Sequence, residues 1–139
     1  MMKKGCIIFV CIVLFLSIFL AGCEEKATDV GNGFENILFE SNVAKLAHGK
    51  VTFVKDNNVI IRTEVEFLLK NIVDRVVNLR IIAEFYDNDN NLLYISEPHT
   101  IENMPIDYQE SEILASNIIK YSGDFASIVD YVKLIVTEQ

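Results

Sequence analysis

No tryptophan occurs in this 139-residue chain, only two prolines interrupt it, and no cysteine follows position 23. Without a cysteine pair, whatever folds beyond that position does so without a disulfide and offers no thiolate chemistry. Basic residues are also scarce. Past Cys23 the chain carries 10 Lys and Arg against 20 Asp and Glu, a formal net charge of −10. Phosphate contacts need clustered Lys and Arg, so this balance excludes nucleic acid as a partner. It also gives no electrostatic attraction to anionic lipid heads. Histidine is limited to His48 and His99, neither with a second His or Cys at metal-ligand spacing, and there is no glycine-rich phosphate loop. What is left is acidic and the size of one small domain: residues 23–139 number 117, enough to bury a core without cross-links.

The amino terminus follows a different rule. Met1-Met2-Lys3-Lys4 is a basic start, and Gly5 to Gly22 carries no charge. Leu20-Ala21-Gly22-Cys23 follows, and then Glu24, Glu25 and Lys26. The order basic, apolar, small residues, cysteine is that of a secretory signal. Small Ala21 and Gly22 leave the backbone open to a peptidase, and the Cys23 thiol is the one nucleophile on the right side of the apolar run. Leu20-Ala21-Gly22-Cys23 resembles the lipobox of prokaryotic lipoproteins. That resemblance implies thioether lipidation of Cys23, cleavage before it, and a lipid anchor on the extracytoplasmic face of the cell membrane. Residues 1–22 are then an apolar signal helix and residues 23–35 a tether. The alternative is an uncleaved span, because 18 uncharged residues reach the lower limit for crossing a bilayer. Lys3 and Lys4 stay inside in both cases, so the rest of the chain faces outward.

Residues 36–139 read as the folded domain. Asn36 to Leu46 admits either a first strand or a helical turn. From Ala47 onward the hydrophobic period is two, the signature of strands. Lys50 to Val54 is a strand, and Asp56-Asn57-Asn58 a tight turn of residues that tolerate left-handed backbone angles. Val59, Ile61, Thr63, Val65, Phe67 and Leu69 then point one way, and Ile60, Arg62, Glu64, Glu66 and Leu68 the other. After a break at Asn71 to Arg75, Val77, Leu79, Ile81, Ala83 and Phe85 form a third inward set. Leu92 to Ser96, Glu110 to Tyr121 and Tyr131 to Thr137 are further strands. Glu97 to Asp107, punctuated by Pro98 and Pro105, is a crossing loop. About six or seven short strands predict an all-β fold, a single Ig-like antiparallel sandwich, although the Cys pair and Trp of true immunoglobulin domains are missing.

The run Asn78 to Leu93, with Phe85-Tyr86-Asp87 at its centre, resembles the core of FxLYD-type domains, which are Ig-like modules of prokaryotic surface lipoproteins. The resemblance covers roughly Val51 to Val136 and supports the fold. It implies no catalytic residue. The chain departs from that pattern in having Asn where a hairpin glycine is common.

Chemistry-bearing groupings are few. Asp87, Asp89 and Asn91 have the first three spacings of a calcium loop, but Leu92 stands where glycine is needed and Pro98 where a bidentate Glu is needed. They read as a hairpin turn, with a weak cation site as the competing reading. Glu64 with Glu66, and Glu110 with Glu112, lie two apart on strands and read as solvated surface. Ile60, Leu68 and Ile82 make the outward faces more apolar than solvation needs, which a layer formed by Ile37-Leu38-Phe39 would explain. No cofactor is expected, and no Ser-His-Asp grouping suggests an enzyme. The expectation is a membrane-tethered, non-enzymatic module that meets a protein partner at the cell surface. The alternative is a solute- or glycan-binding lipoprotein, for which the five tyrosines would supply stacking surfaces.

Overall fold

A computed structural model describes residues 34–139. The expected signal segment and most of the tether, including Leu20, Ala21, Gly22 and Cys23, lie outside the described residues. Among those described there are eight strands: β1 (Ile37–Ser41), β2 (Ala44–Asp56), β3 (Val59–Asn71), β4 (Val77–Tyr86), β5 (Leu92–Ile95), β6 (His99–Met104), β7 (Ile118–Tyr121) and β8 (Tyr131–Glu138). They form two sheets, one ordered β1-β8-β4-β5 with β6 also on β4, the other β2-β3-β7. The domain is an all-β sandwich, as the period-two segments predict.

The alternation of β4 builds the core. Val77, Leu79, Ile81, Ala83 and Phe85 are all buried, and so are Val132, Leu134 and Val136 on the neighbouring β8. From the other sheet, Val65, Phe67 and Leu69 of β3 meet them. Val59 and Ile61 have the same parity on β3 yet are exposed, because the β2–β3 hairpin runs on past the edge of the facing sheet. Its turn is the expected one: Asn57 and Asn58 both have positive φ, and Asp56 pairs with Val59.

Four elements differ from the sequence reading. The first strand pair is parallel, not antiparallel: β1 lies alongside β8 with Ile37 opposite Val132. The two are far apart in sequence, so no tight turn dictates their direction. Ile37 and Phe39 pack on the core, and β1 is therefore a sheet edge, not a second layer over Ile60, Leu68 and Ile82. Second, β2 begins at Ala44, well before Lys50. A register shift between Leu46 and His48 moves the inward set from even to odd positions, which is why the period-two pattern is legible only after Ala47. Third, the expected crossing loop contains β6, which pairs with β4 between Val77 and Ile81. Pro98 and Pro105 bound this strand from outside. Fourth, only Ile118–Tyr121 of the segment starting at Glu110 is a strand. Further up, the Glu110 carboxylate accepts the Leu69 amide at 2.8 Å, a side chain standing where a ladder carbonyl would be.

The break at residue 71 is a buried polar knot. The Asn71 side-chain amide donates to the carbonyls of Arg75 (2.9 Å), Pro105 (2.8 Å) and Met104 (3.2 Å), and its oxygen accepts from the Val73 amide at 2.9 Å. Truncation would leave those carbonyls without their donor in a site with no solvent access. Asn71→Ala is expected to cost about 2–4 kcal/mol, read from the midpoint of urea unfolding. A loss below about 0.5 kcal/mol, the level of an ordinary surface change, would contradict this account.

Candidate functional site: the outer face and edge of the larger sheet

On a strand, every second residue faces out, and register stacks those residues into rows across a sheet. On the larger sheet one row is Tyr131, Tyr86 and Leu92, the next is Leu38, Lys133, Glu84 and Ile95, and the next Glu40, Ile135 and Ile82. Together the rows mix apolar and charged groups over four strands. Tyr86 and Tyr131 are stacked, with ring centroids 5.0 Å apart and planes 6° from parallel. The Tyr86 hydroxyl donates to Glu84 Oε2 at 2.7 Å, and the Tyr131 hydroxyl donates to Asn90 Oδ1 at 3.1 Å. Lys133 reaches Glu40 at 2.7 Å. That bond raises the lysine pKa, so the ammonium persists on this face.

The rim of the face is an open edge. β5 and β6 pair with successive halves of β4, and no strand lies beyond them among the described residues. Leu92 and Ile95 on β5 are about half exposed, at 48% and 50%. The edge is short, interrupted by Pro98 and ended by Pro105, features that limit indiscriminate strand pairing.

The calcium-like spacing folds into the β4–β5 turn. Asp87 Oδ1 accepts from the amides of Asp89 (2.9 Å) and Asn91 (2.8 Å), and Oδ2 from the Asn91 side chain at 2.9 Å. These donors hold the Asp87 pKa below its ordinary value, the Asn91 side chain first. Asn90 takes positive φ, which asparagine tolerates better than most non-glycine residues. Among the described residues no three His, Cys, Asp or Glu side chains converge on a metal-sized site.

The remaining candidates are dispersed. His48 meets the edge of the Phe34 ring, while His99 Nδ1 lies 3.4 Å from the Ser116 carbonyl. Glu64 faces out from the smaller sheet, 2.7 Å from Arg62 and 3.9 Å from Lys120, and Glu66 lies opposite Lys50. Glu110 is spent on the Leu69 amide and on Asn117. Tyr94 and Tyr121 stack at 4.6 Å inside, against Phe85. An open groove of about 400 Å³ lies between the ends of β1 and β8, lined by Glu40, Ser41, Asn42, Val136 and Thr137. Pairing of Tyr86 with Tyr131 was not legible in the sequence, since it needs the β4–β8 register.

The bond to Glu84 raises the Tyr86 pKa to about 12, with burial adding in the same direction. A raised folded-state value means the neutral phenol is favoured by folding. Its contribution is complete below the ordinary tyrosine pKa and is lost as pH rises toward about 12. Glu84→Gln is expected to return one tyrosine to the ordinary range in an ultraviolet titration of phenolate. An unchanged titration curve would show that the carboxylate is not the cause.

No protein-family model matches the chain, and no curated protein matches it. Among solved structures, the crystal structure of Campylobacter jejuni cj0090 is similar over 76% of this chain and 99% of its own, at 11% identity and a TM-score of 0.46.

Proposed function

We propose that this chain is an exported lipoprotein, held by a lipidated Cys23 on the outer face of the cytoplasmic membrane, whose sandwich is a non-enzymatic docking module for a protein partner. The observation that carries the reading is the order of the chain. A basic start, an uncharged run and Leu20-Ala21-Gly22-Cys23 are followed by a short tether and then a sandwich with an open edge. The resemblance of Phe85-Tyr86-Asp87 and its surroundings to FxLYD-type modules of surface lipoproteins points the same way. The docking surface is the face carrying Tyr86, Tyr131, Leu92 and Ile95, with strand addition at β5 supplying backbone hydrogen bonds and the exposed apolar side chains supplying specificity. The stacked tyrosines also favour a second reading, a glycan-binding lipoprotein that uses their rings as a platform.

Two measurements test these readings. The intact mass of the membrane fraction should show loss of residues 1–22 and added lipid, and Cys23→Ser should abolish that product. An unprocessed mass in both would replace the anchor with a single span. For docking, a photo-crosslinker at Ile95 should capture one dominant neighbour, and Leu92→Glu should remove it. A thermal shift with oligosaccharides that vanishes in Tyr131→Ala would instead select the glycan reading.

A further inference from the structure

Exposed apolar side chains gather at both ends of the sandwich: Ile72, Val76, Ile106 and Tyr108 beside Asn71, and a second set at the end that also receives the tether. At that end the chain leaves β7 at Tyr121, crosses between the sheets through a 3-10 turn at Ala126–Ile128, and enters β8 at Tyr131. The crossing is fixed from below: Thr63 Oγ1 donates to the Ala126 carbonyl at 2.6 Å, and Ala126 and Val129 are buried. Phe125 and Ile128, on either side of Ala126, are 56% and 51% exposed. Phe53, opposite Thr63, and then Ile61 and Val59 continue the inward parity of the smaller sheet, and all three are exposed. Five large apolar side chains thus stand in water around one end of an otherwise acidic domain. Such a concentration marks a contact surface.

The tether leaves from the same end. Val132, at the start of β8, donates its amide to the Asn36 carbonyl at 2.9 Å, and Ile37 pairs with Val132. The eleven residues from Cys23 to Gly33 span at most about 40 Å. A domain of this length has a radius of gyration of about 13 Å. The tether is therefore little longer than the domain is wide, and the end from which it emerges is held toward the lipid. Charge does not oppose this. The hairpin tip and crossing carry Lys55 and Arg62 against Asp56, Asp124 and Asp130, a formal charge of only −1 in a strongly acidic chain. Acidic Asp87 and Asp89 share that end on the larger sheet, which leaves the smaller-sheet side as the one suited to contact.

We infer that this end, Phe53, Val59, Ile61, Phe125 and Ile128, seats on the lipid surface, its apolar side chains entering the boundary between headgroups and acyl chains. The inference rests on the proposed anchor at Cys23. It gives the module a fixed orientation in place of free rotation on its tether. The contact is apolar, in keeping with a domain that has no electrostatic pull toward anionic heads.

The test uses the full chain with Cys6→Ser and Cys11→Ser, purified from host membranes and reconstituted in vesicles of equal parts phosphatidylethanolamine and phosphatidylglycerol. A nitroxide is placed at Val59→Cys, Ile128→Cys or, at the opposite end, Val76→Cys. Collision with oxygen relative to a water-soluble nickel chelate should be several-fold higher at positions 59 and 128 than at 76. Equal, water-like values at all three overturn the seating. A high ratio that falls as protein is diluted with lipid indicates a second copy at the tip and overturns it as well. The intact mass of the same sample reports on the anchor separately: an unprocessed chain with a lipid-exposed tip refutes lipidation and leaves the seating in place.

Discussion

The burial of one side of β4 is the constraint on which the rest depends. Its five inward residues are closed off from solvent, and the strand pairs with β8 on one edge and with β5 and β6 on the other. A large aliphatic or aromatic side chain contributes about 1.5–3 kcal/mol on full burial. Leu79, Ile81 and Phe85 together therefore outweigh any surface ion pair in the domain, such as exposed Arg75 with Glu138. Slipping β4 by one residue would turn Arg80 and Glu84 into that core, so register is strongly specified. Once it is set, Tyr86 meets Tyr131, Glu84 meets Lys133, and β5 is presented as an edge. The proposed docking face is thus a consequence of the core.

The same constraint explains what the sequence could be made to say. Strict alternation on β4 and on the later part of β3 is legible because a half-buried strand has period two and nothing else disturbs it. Asn57-Asn58 is legible because few residues accept left-handed angles in succession. Two of the misses depend on a partner distant in sequence, and a third on a local irregularity. The parallel direction of β1 is decided by β8, the early half of β2 is masked by its bulge, and β6 owes its strand character to β4. Prolines at 98 and 105 read as loop punctuation but serve as the limits of an edge strand. Glu110 looked like one member of a solvated pair and is a backbone substitute.

Of the candidate site, the sequence made the types of residue visible but not their meeting. Five tyrosines sort into two pairs and a single residue by parity and register: Tyr94 and Tyr121 stack inside against Phe85, Tyr86 and Tyr131 stack outside, and Tyr108 stands alone and exposed. Nothing local separates Tyr94 from Tyr86. Likewise Asp87, Asp89 and Asn91 have an oxygen-ligand spacing, yet the Asp87 oxygens accept hydrogen bonds from the turn itself. A carboxylate already satisfied by three N–H donors has little left to offer a cation.

The two proposals are geometrically compatible because they use different surfaces. The apolar end lies along the strand direction, at the hairpin tip and the crossing into β8, whereas the docking face lies across the strands of the larger sheet. A sandwich seated on that end stands with its strands rising from the lipid. The β5–β6 edge then runs upward from the membrane, open to a partner approaching sideways. An incoming strand would add to it at little ordering cost, because the edge is already fixed by β4 and the domain already held by its base. Tether length enters this logic directly. A much longer connection would let the domain lift and turn, and the apolar end would have to hold orientation alone. If Cys23 carries the proposed lipid, the eleven residues from Cys23 to Gly33 supply proximity and the apolar end needs only to choose the direction.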